Sequence, residues 1–182
     1  PFYSDEALEI LKSKKNRIIL VRAGVQPSAV KFRSMMAGVL VQERDTVAET
    51  PADLTPVTDK KATDAEIADL LFANVLVKHS KANSIVLAKG GMLLASGVGQ
   101  TSRVDALRQA IAKAQSFGFD LSGAVMAAEA FVPVPDCVEI AGEAGITAVI
   151  HPGGSIRDGE SVDYCNAHNI AMVTTGKRHF KH

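Results

Sequence analysis

After Asp59 the apolar residues change period at nearly every segment, from helical three-and-four spacing to short β-branched runs and back. This alternation limits the fold more than any other feature. Thr63 and Glu66 have the spacing of a capping box and open a helix that buries Ile67, Leu70, Leu71 and either Asn74 or Val75, ending near Lys78. Ser84–Ala88 and Met92–Ser96 read as strands joined by Lys89-Gly90-Gly91, a turn that suits a hairpin. Ser102 with Asp105 caps a second helix with Val104, Leu107, Ile111 and Ala114 on its apolar face. Then come a strand at Gly123–Ala128, a helix at Asp136–Ala144, a strand at Ala148–Ile150, a helix at Arg157–His168 and a last strand at Ala171–Thr174. The order predicts an α/β fold: a three-layer α/β/α sandwich of the cytidine-deaminase-like kind. Its sheet is expected to be mixed and mostly parallel, with the hairpin giving one antiparallel edge.

The residues before this block read differently. Ser4 can cap a short helix carrying Leu8 and Leu11. Arg17–Val21 (RIILV) reads as a buried strand, and Lys31–Gln42 fits strand or helix. Between Glu43 and Lys61 the sequence RDTVAETPADLTPVTDKK has two prolines and no sustained apolar period, so it should run over the surface. The expected organisation is an N-terminal arm and linker over 1–58 and a compact subdomain over 59–182.

Charge and cysteine usage narrow the function classes. Lys plus Arg equal Asp plus Glu at 20 each, so no net field favours nucleic acid or a membrane surface. No apolar run is long enough to span a bilayer, and nothing at the start reads as a secretory leader. Cys137 and Cys165 are too few for a disulfide framework and lack metal-ligand spacing, which fits a reducing, cytoplasmic setting. The start at Pro1 suggests an excised or processed piece. Zinc-dependent deamination is not expected. It needs His-x-Glu with Pro-Cys-x-x-Cys, and neither occurs.

In doubly wound sheets ligands collect beyond the carboxyl ends of parallel strands. Those ends are Ala128–Phe131, Ile150–Ser155 and Thr174–Arg178. His151-Pro152-Gly153-Gly154-Ser155-Ile156-Arg157-Asp158 links a strand to a helix start, where free amides and a positive dipole end suit an anion or carbonyl. It reads equally as a plain turn capped by Ser155 or Asp158. In Phe131-Val132-Pro133-Val134-Pro135-Asp136 the prolines stiffen a wall for a flat ring, and Asp136 can accept from an amino heterocycle or cap the next helix. Arg103 sits in a helix's first turn against the dipole, which suggests a partner elsewhere. Arg178, just past the last strand, can reach a phosphate, or stay solvated in a basic tail. Lys78-His79 reads best as the polar end of an amphipathic helix, and Asn83 as a helix terminator.

Five collinear stretches carry a resemblance: VKHSKANSIVLAK (77–89), GVGQTSRVDALR (97–108), AEAFVPVPDCVEIA (128–141), AGITAVIHPGGSIRD (144–158) and NIAMVTTGKRHFKH (169–182). KFRSMMAGVLVQERD (31–45) is a weaker match. Together they resemble the C-terminal part of the bifunctional purine-biosynthesis family that joins an aminoimidazole carboxamide ribotide (AICAR) formyltransferase to an IMP cyclohydrolase. The resemblance implies about half of a formyltransferase of IMP biosynthesis, moving a formyl group from 10-formyltetrahydrofolate, its cosubstrate, to the AICAR amine without a metal. It implies that Asn83, Arg103, Phe131, Arg178 and His182 contact AICAR, with Arg178 on the phosphate. Val104, Asp136, Ser155 and Ile156 would line the folate site. It also implies a homodimer with the site at the subunit interface.

Two departures stand out. The family's catalytic lysine-histidine pair belongs to an upstream Phe-Lys-His-x-x-Pro-x-Gly segment that these residues lack, so no catalytic residue is assigned and the chain alone is expected to be inactive. The family's Phe-Phe-Pro-Phe loop reads Phe131-Val132-Pro133-Val134 here, which removes folate-stacking area worth about 1 kcal/mol per lost aromatic pair. The competing readings are a stand-alone nucleotide- or phosphate-binding regulatory module, and a dimerisation scaffold.

Overall fold

The computed structural model describes residues 3–21, 24, 26–132 and 135–181. The chain divides into two compact units, Pro1–Arg44 and Asp45–His182.

In the first unit Ser4 accepts from the Ala7 amide at 3.2 Å and starts helix α1, Asp5–Lys12. Strands β1 (Val30–Met35) and β2 (Gly38–Glu43) form an antiparallel hairpin, which resolves the ambiguous 31–42 stretch. The strand expected over 17–21 does not form. Those residues have no regular structure, and Ile18, Leu20 and Val21 are exposed. A β-branched run needs a neighbouring strand to pair with, and the strands of this unit pair with each other.

The second unit is a mixed sheet between helical layers. A short strand β3 (Thr55–Pro56) is followed by α2 (Asp64–Lys78), β4 (Ile85–Lys89), β5 (Met92–Gly97), α3 (Arg103–Ser116) and β6 (Val125–Ala128). Helix α4 (Asp136–Glu143), β7 (Ala148–His151), α5 (Asp158–Ala167) and β8 (Ala171–Thr174) complete it. The Thr63–Glu66 capping box is present, and Ser102 accepts from the Asp105 amide. Gly90 and Gly91 both have positive φ, as a tight hairpin turn requires, and both amides donate to the Asp69 carboxylate. Alternate strand residues serve two cores. Val86, Ala88, Val125, Ala127, Ile150 and Val173 pack with Leu70, Ala73 and Val77 of α2. Ile85, Leu87, Met126, Val149 and Met172 pack with α3, α4 and α5.

The expectation of a mostly parallel sheet is wrong. The strand order is β3-β8-β7-β6-β4-β5, and only β6–β7 and β7–β8 are parallel. The pairs β3–β8, β4–β6 and β4–β5 are antiparallel. Strands β5, β6, β7 and β8 do run the same way, as alternation with helices requires. Strand β4 lies between β5 and β6, however, and turns one expected parallel contact into an antiparallel one. At the far edge β3, drawn from the proline-containing stretch, adds another. Among the described residues no helix is long and apolar enough to cross a membrane.

Candidate functional site

The carboxyl end of β6 runs into Glu129, Ala130 and Phe131. Glu129 is fully buried, and its carboxylate is the hub of a polar cluster. The Arg103 guanidinium, from the first turn of α3, forks onto it at 2.8 Å (Nη1 to Oε2) and 3.1 Å (Nη2 to Oε1). Arg103 also donates to the Ser84 carbonyl at 3.2 Å and to Asn83 Oδ1 at 3.1 Å. The Ser84 amide and hydroxyl donate to Glu129 Oε2 at 3.1 and 3.0 Å. The arginine set against its own helix dipole thus has an opposite charge to offset it. A fork of this kind fixes the plane as well as the position of the guanidinium.

Asn83 closes the cluster. Its backbone exchanges hydrogen bonds with Gln100, and its side-chain amide donates to the Gln100 and Thr101 carbonyls. This ties the start of β4 to the loop before α3. Asn83, Thr101, Arg103, Ala130, Phe131 and Phe180 line a cleft of about 300 Å³. The Arg178 guanidinium lies 5.2 Å above the Phe131 ring, a cation–π contact. It also flanks the β7–α5 turn, where a Cβ on Gly154 would lie 3.6 Å from Arg178 Nη2. The β6–α4 connection, the glycine turn and the post-β8 arginine therefore meet at one end of the sheet.

The glycine turn is not an open anion cradle. Asp158, the first residue of α5, accepts from the Gly154 and Ser155 amides through one carboxylate oxygen, at 2.7 and 3.1 Å. These two turn amides are satisfied by the chain's own carboxylate. His151 Nδ1 accepts from the Gly153 amide at 3.1 Å, and its Nε2 lies 3.3 Å from Met172 Sδ. Burial holds His151 down at about 4, against an upward pull from Asp158, so the ring is neutral at neutral pH.

Asn83, Arg103 and Phe131 share the cleft, and Arg178 stacks on Phe131. The remaining candidates among the described residues do not line it. Val104 is half-buried against the α3 core, Ser155 is half-buried in the turn, and Ile156 is fully exposed. Asp136 is exposed on the first turn of α4, whose N-cap is Pro135, so it is not a capping residue. Val132, one of the aromatic-to-valine departures, is buried in the α3-side core. His182, Pro133 and Val134 lie outside the described residues.

Sequence reasoning missed Glu129 and His179. An acid between Ala128 and Ala130 at the end of an apolar strand was the available signal, because a buried carboxylate demands a partner. His179 is buried between two carboxylates, Nδ1 at 2.6 Å from Asp45 and Nε2 at 3.0 Å from Glu49. Its amide donates to the Glu129 carbonyl at 2.9 Å. Asn74 donates to Glu49, and Lys78 pairs with Asp45 at 3.2 Å. Burial would raise the Asp45 carboxyl, but hydrogen bonds from His179 and Lys78 bring it below the usual range. Lys78 is thus engaged in an ion pair, and His79 caps α2 with its carbonyl accepting from Lys181.

A family model described as "AICARFT/IMPCHase bienzyme" matches residues 1–113. The chain is 65% identical over 182 residues to the bifunctional purine biosynthesis protein PurH of Bacteroides thetaiotaomicron, covering 100% of this chain and 36% of that protein. It is 50% identical to the protein of the same name from Aquifex aeolicus, over 100% of this chain and 35% of that one. The chain thus spans about a third of the length of the curated relatives it matches. Two solved structures are similar in part. One is a diaminohydroxyphosphoribosylaminopyrimidine deaminase/5-amino-6-(5-phosphoribosylamino)uracil reductase from Thermotoga maritima, with TM-score 0.43 and 23% identity over 58% of this chain and 34% of that one. The other is the dCMP deaminase of cyanophage S-TIM5, with TM-score 0.44 and 16% identity over 62% of this chain and 98% of that one.

Proposed function

The chain belongs to the AICARFT/IMPCHase bienzyme family, and from that premise we propose that it forms the C-terminal part of an AICAR formyltransferase of purine biosynthesis. In this reading residues 1–58 are the arm and linker of the formyltransferase region, and 59–182 its C-terminal subdomain. The stretch from Asp45 to Thr58 is linker by composition, yet packs with the subdomain. The reading puts the protein in the cytoplasm and makes it a homodimer.

The observation that carries the proposal is the meeting of Asn83, Arg103, Phe131 and Arg178 around one cleft. Four guanidinium contacts of Arg103, among the five N–H donors of an arginine, are spent on Glu129, Ser84 and Asn83. It offers the cleft a fixed charge rather than a fork. Arg178 is exposed and stacked on Phe131, so it is the better candidate for the AICAR phosphate. Phe131 supplies a face for the imidazole ring, and the Asn83 side-chain oxygen an acceptor for the carboxamide N–H, its two amide hydrogens being held by Gln100 and Thr101.

The amine of AICAR is conjugated with the ring carboxamide and is a weak nucleophile. Transfer requires it to be held against the formyl carbon of 10-formyltetrahydrofolate while its proton is removed. The C–N bond to the folate nitrogen breaks, and that nitrogen takes up a proton. The folate is assigned to the side of Val104, Asp136, Ser155 and Ile156, and His182 to the nucleotide. No catalytic residue is assigned. The 182 residues alone are expected to bind AICAR without turnover.

Titration calorimetry tests this. AICAR should bind the chain, and Arg178→Ala should weaken it roughly tenfold to a hundredfold, the size of a lost charged hydrogen-bond pair. Unchanged affinity in Arg178→Ala, or formyl transfer by the chain alone, would overturn the assignment.

A further inference from the structure

Glu129 has no role in the reading above, although its carboxylate is buried among groups that are assigned one. One carboxylate oxygen takes Nη1 of Arg103 together with the amide and hydroxyl of Ser84, and the other takes Nη2. Nη2 is in turn the donor that holds Asn83 Oδ1. The orientation of Arg103 is therefore set from beneath by Glu129, and Arg103 in turn holds the oxygen of the Asn83 side chain, whose amide hydrogens go to the Gln100 and Thr101 carbonyls. The backbone carbonyl of the same residue accepts from the His179 amide, which fixes the tail between Arg178 and Phe180. Two walls of the cleft, one from α3 and β4 and one from the chain after β8, are fastened to one residue that does not itself line the cleft.

We infer that Glu129 is a positioning residue for the cleft. It fixes the Arg103 guanidinium, and through it the Asn83 side-chain oxygen, for a bound ribotide, and anchors the tail that carries Arg178. The inference rests on the AICAR reading of the cleft.

A merely structural ion pair would also lie buried, so the test must read orientation rather than stability. AICAR affinity is measured by calorimetry on the full chain for Glu129→Gln, Arg103→Met and the double variant, with Arg178→Ala as control. Glu129→Gln keeps the shape and removes the charge that holds the fork. AICAR should bind it roughly tenfold or more weakly, as for a lost charge-assisted hydrogen bond. In the Arg103→Met background Glu129→Gln should cost no more than about a further twofold, because a residue that acts through Arg103 has nothing left to aim. If Glu129→Gln does not fold, Glu129→Asp takes its place in the same cycle. It keeps the charge and withdraws it by one methylene.

A folded Glu129 variant that binds AICAR like the parent, while Arg178→Ala binds weakly, overturns the positioning role and leaves the cleft reading intact. Equal losses with and without Arg103 also overturn it. If Arg178→Ala binds like the parent, the cleft reading fails and the inference fails with it.

Discussion

His151 has a neutral ring sealed under the glycine turn, and that makes stability depend on pH in a window that can be named. Its folded value is about 4, pushed down by burial from an ordinary 6.5. Between those values the unfolded chain binds a proton that the folded chain does not, so unfolding is favoured as acid is added. The contribution is whole above 6.5 and drains away as pH falls toward 4, by at most ~3 kcal/mol. Asp45, held low by His179 and Lys78, acts in the same direction only at more acid pH. Urea unfolding at pH 7, 6, 5 and 4.5 should show stability falling across this range. In His151→Gln, whose side-chain oxygen can still accept from the Gly153 amide, the fall should be much shallower; an unchanged slope would assign the effect elsewhere. What the sequence reveals at this scale is which residues are out of place, but not what offsets them. Arg103 is conspicuous at a helix start, yet its partner is 26 residues away on another element. The amides of Gly154 and Ser155 look available until Asp158 is seen to fill them.

Among the elements, the contact between α3 and β5 is set by one missing side chain. A Cβ on Gly97 would sit 1.9 Å from the Ala106 carbonyl oxygen, a backbone atom that cannot swing aside. Gly97→Ala should therefore cost about 2 kcal/mol or more by forcing helix and strand apart. Gly159, within α5, has nothing within 4 Å of its added carbon and an ordinary helical backbone. Gly159→Ala should be neutral or stabilise by roughly 0.5–1 kcal/mol. Thermal melts of the pair test the contrast, and equal shifts would show that the close approach is not rigid. Helix starts and the order of elements after Asp59 were readable because caps, turns and apolar period are local signals. Ser4, Thr63 and Ser102 each mark a helix start that forms. Strand neighbours are not local. The sequence shows that β4 and β5 form a hairpin, but not that β4 rather than β5 faces β6. Nor does a Thr-Pro dipeptide announce β3, where the proline's missing donor is tolerable because the strand lies at the sheet edge.

For the chain as a whole, the stretch between Arg44 and Lys61 has the composition of a linker and the packing of a structural part. Within the second unit it supplies β3 to the edge of the sheet, and Asp45 and Glu49 to the two ring nitrogens of His179. Glu49 also accepts from Asn74, and Asp45 pairs with Lys78. The two carboxylates hold one imidazole at both ring nitrogens, and Lys78 pairs with that of Asp45. Take away the acids and the buried His179 ring and the Lys78 ammonium lose these partners, which typically costs several kcal/mol. A polypeptide of residues 45–182 should therefore unfold cooperatively as a complete core. One of residues 59–182, cut where the composition changes, should melt well below it, although both keep every helix and strand from α2 onward. The loss should extend to the cleft, because His179 holds the tail between Arg178 and Phe180, and AICAR binding should weaken along with stability. Equal melting temperatures for the two polypeptides would mean that the strip only decorates the sheet edge. A shorter polypeptide that melts lower but binds AICAR as well as the longer one would separate the clamp on His179 from the cleft.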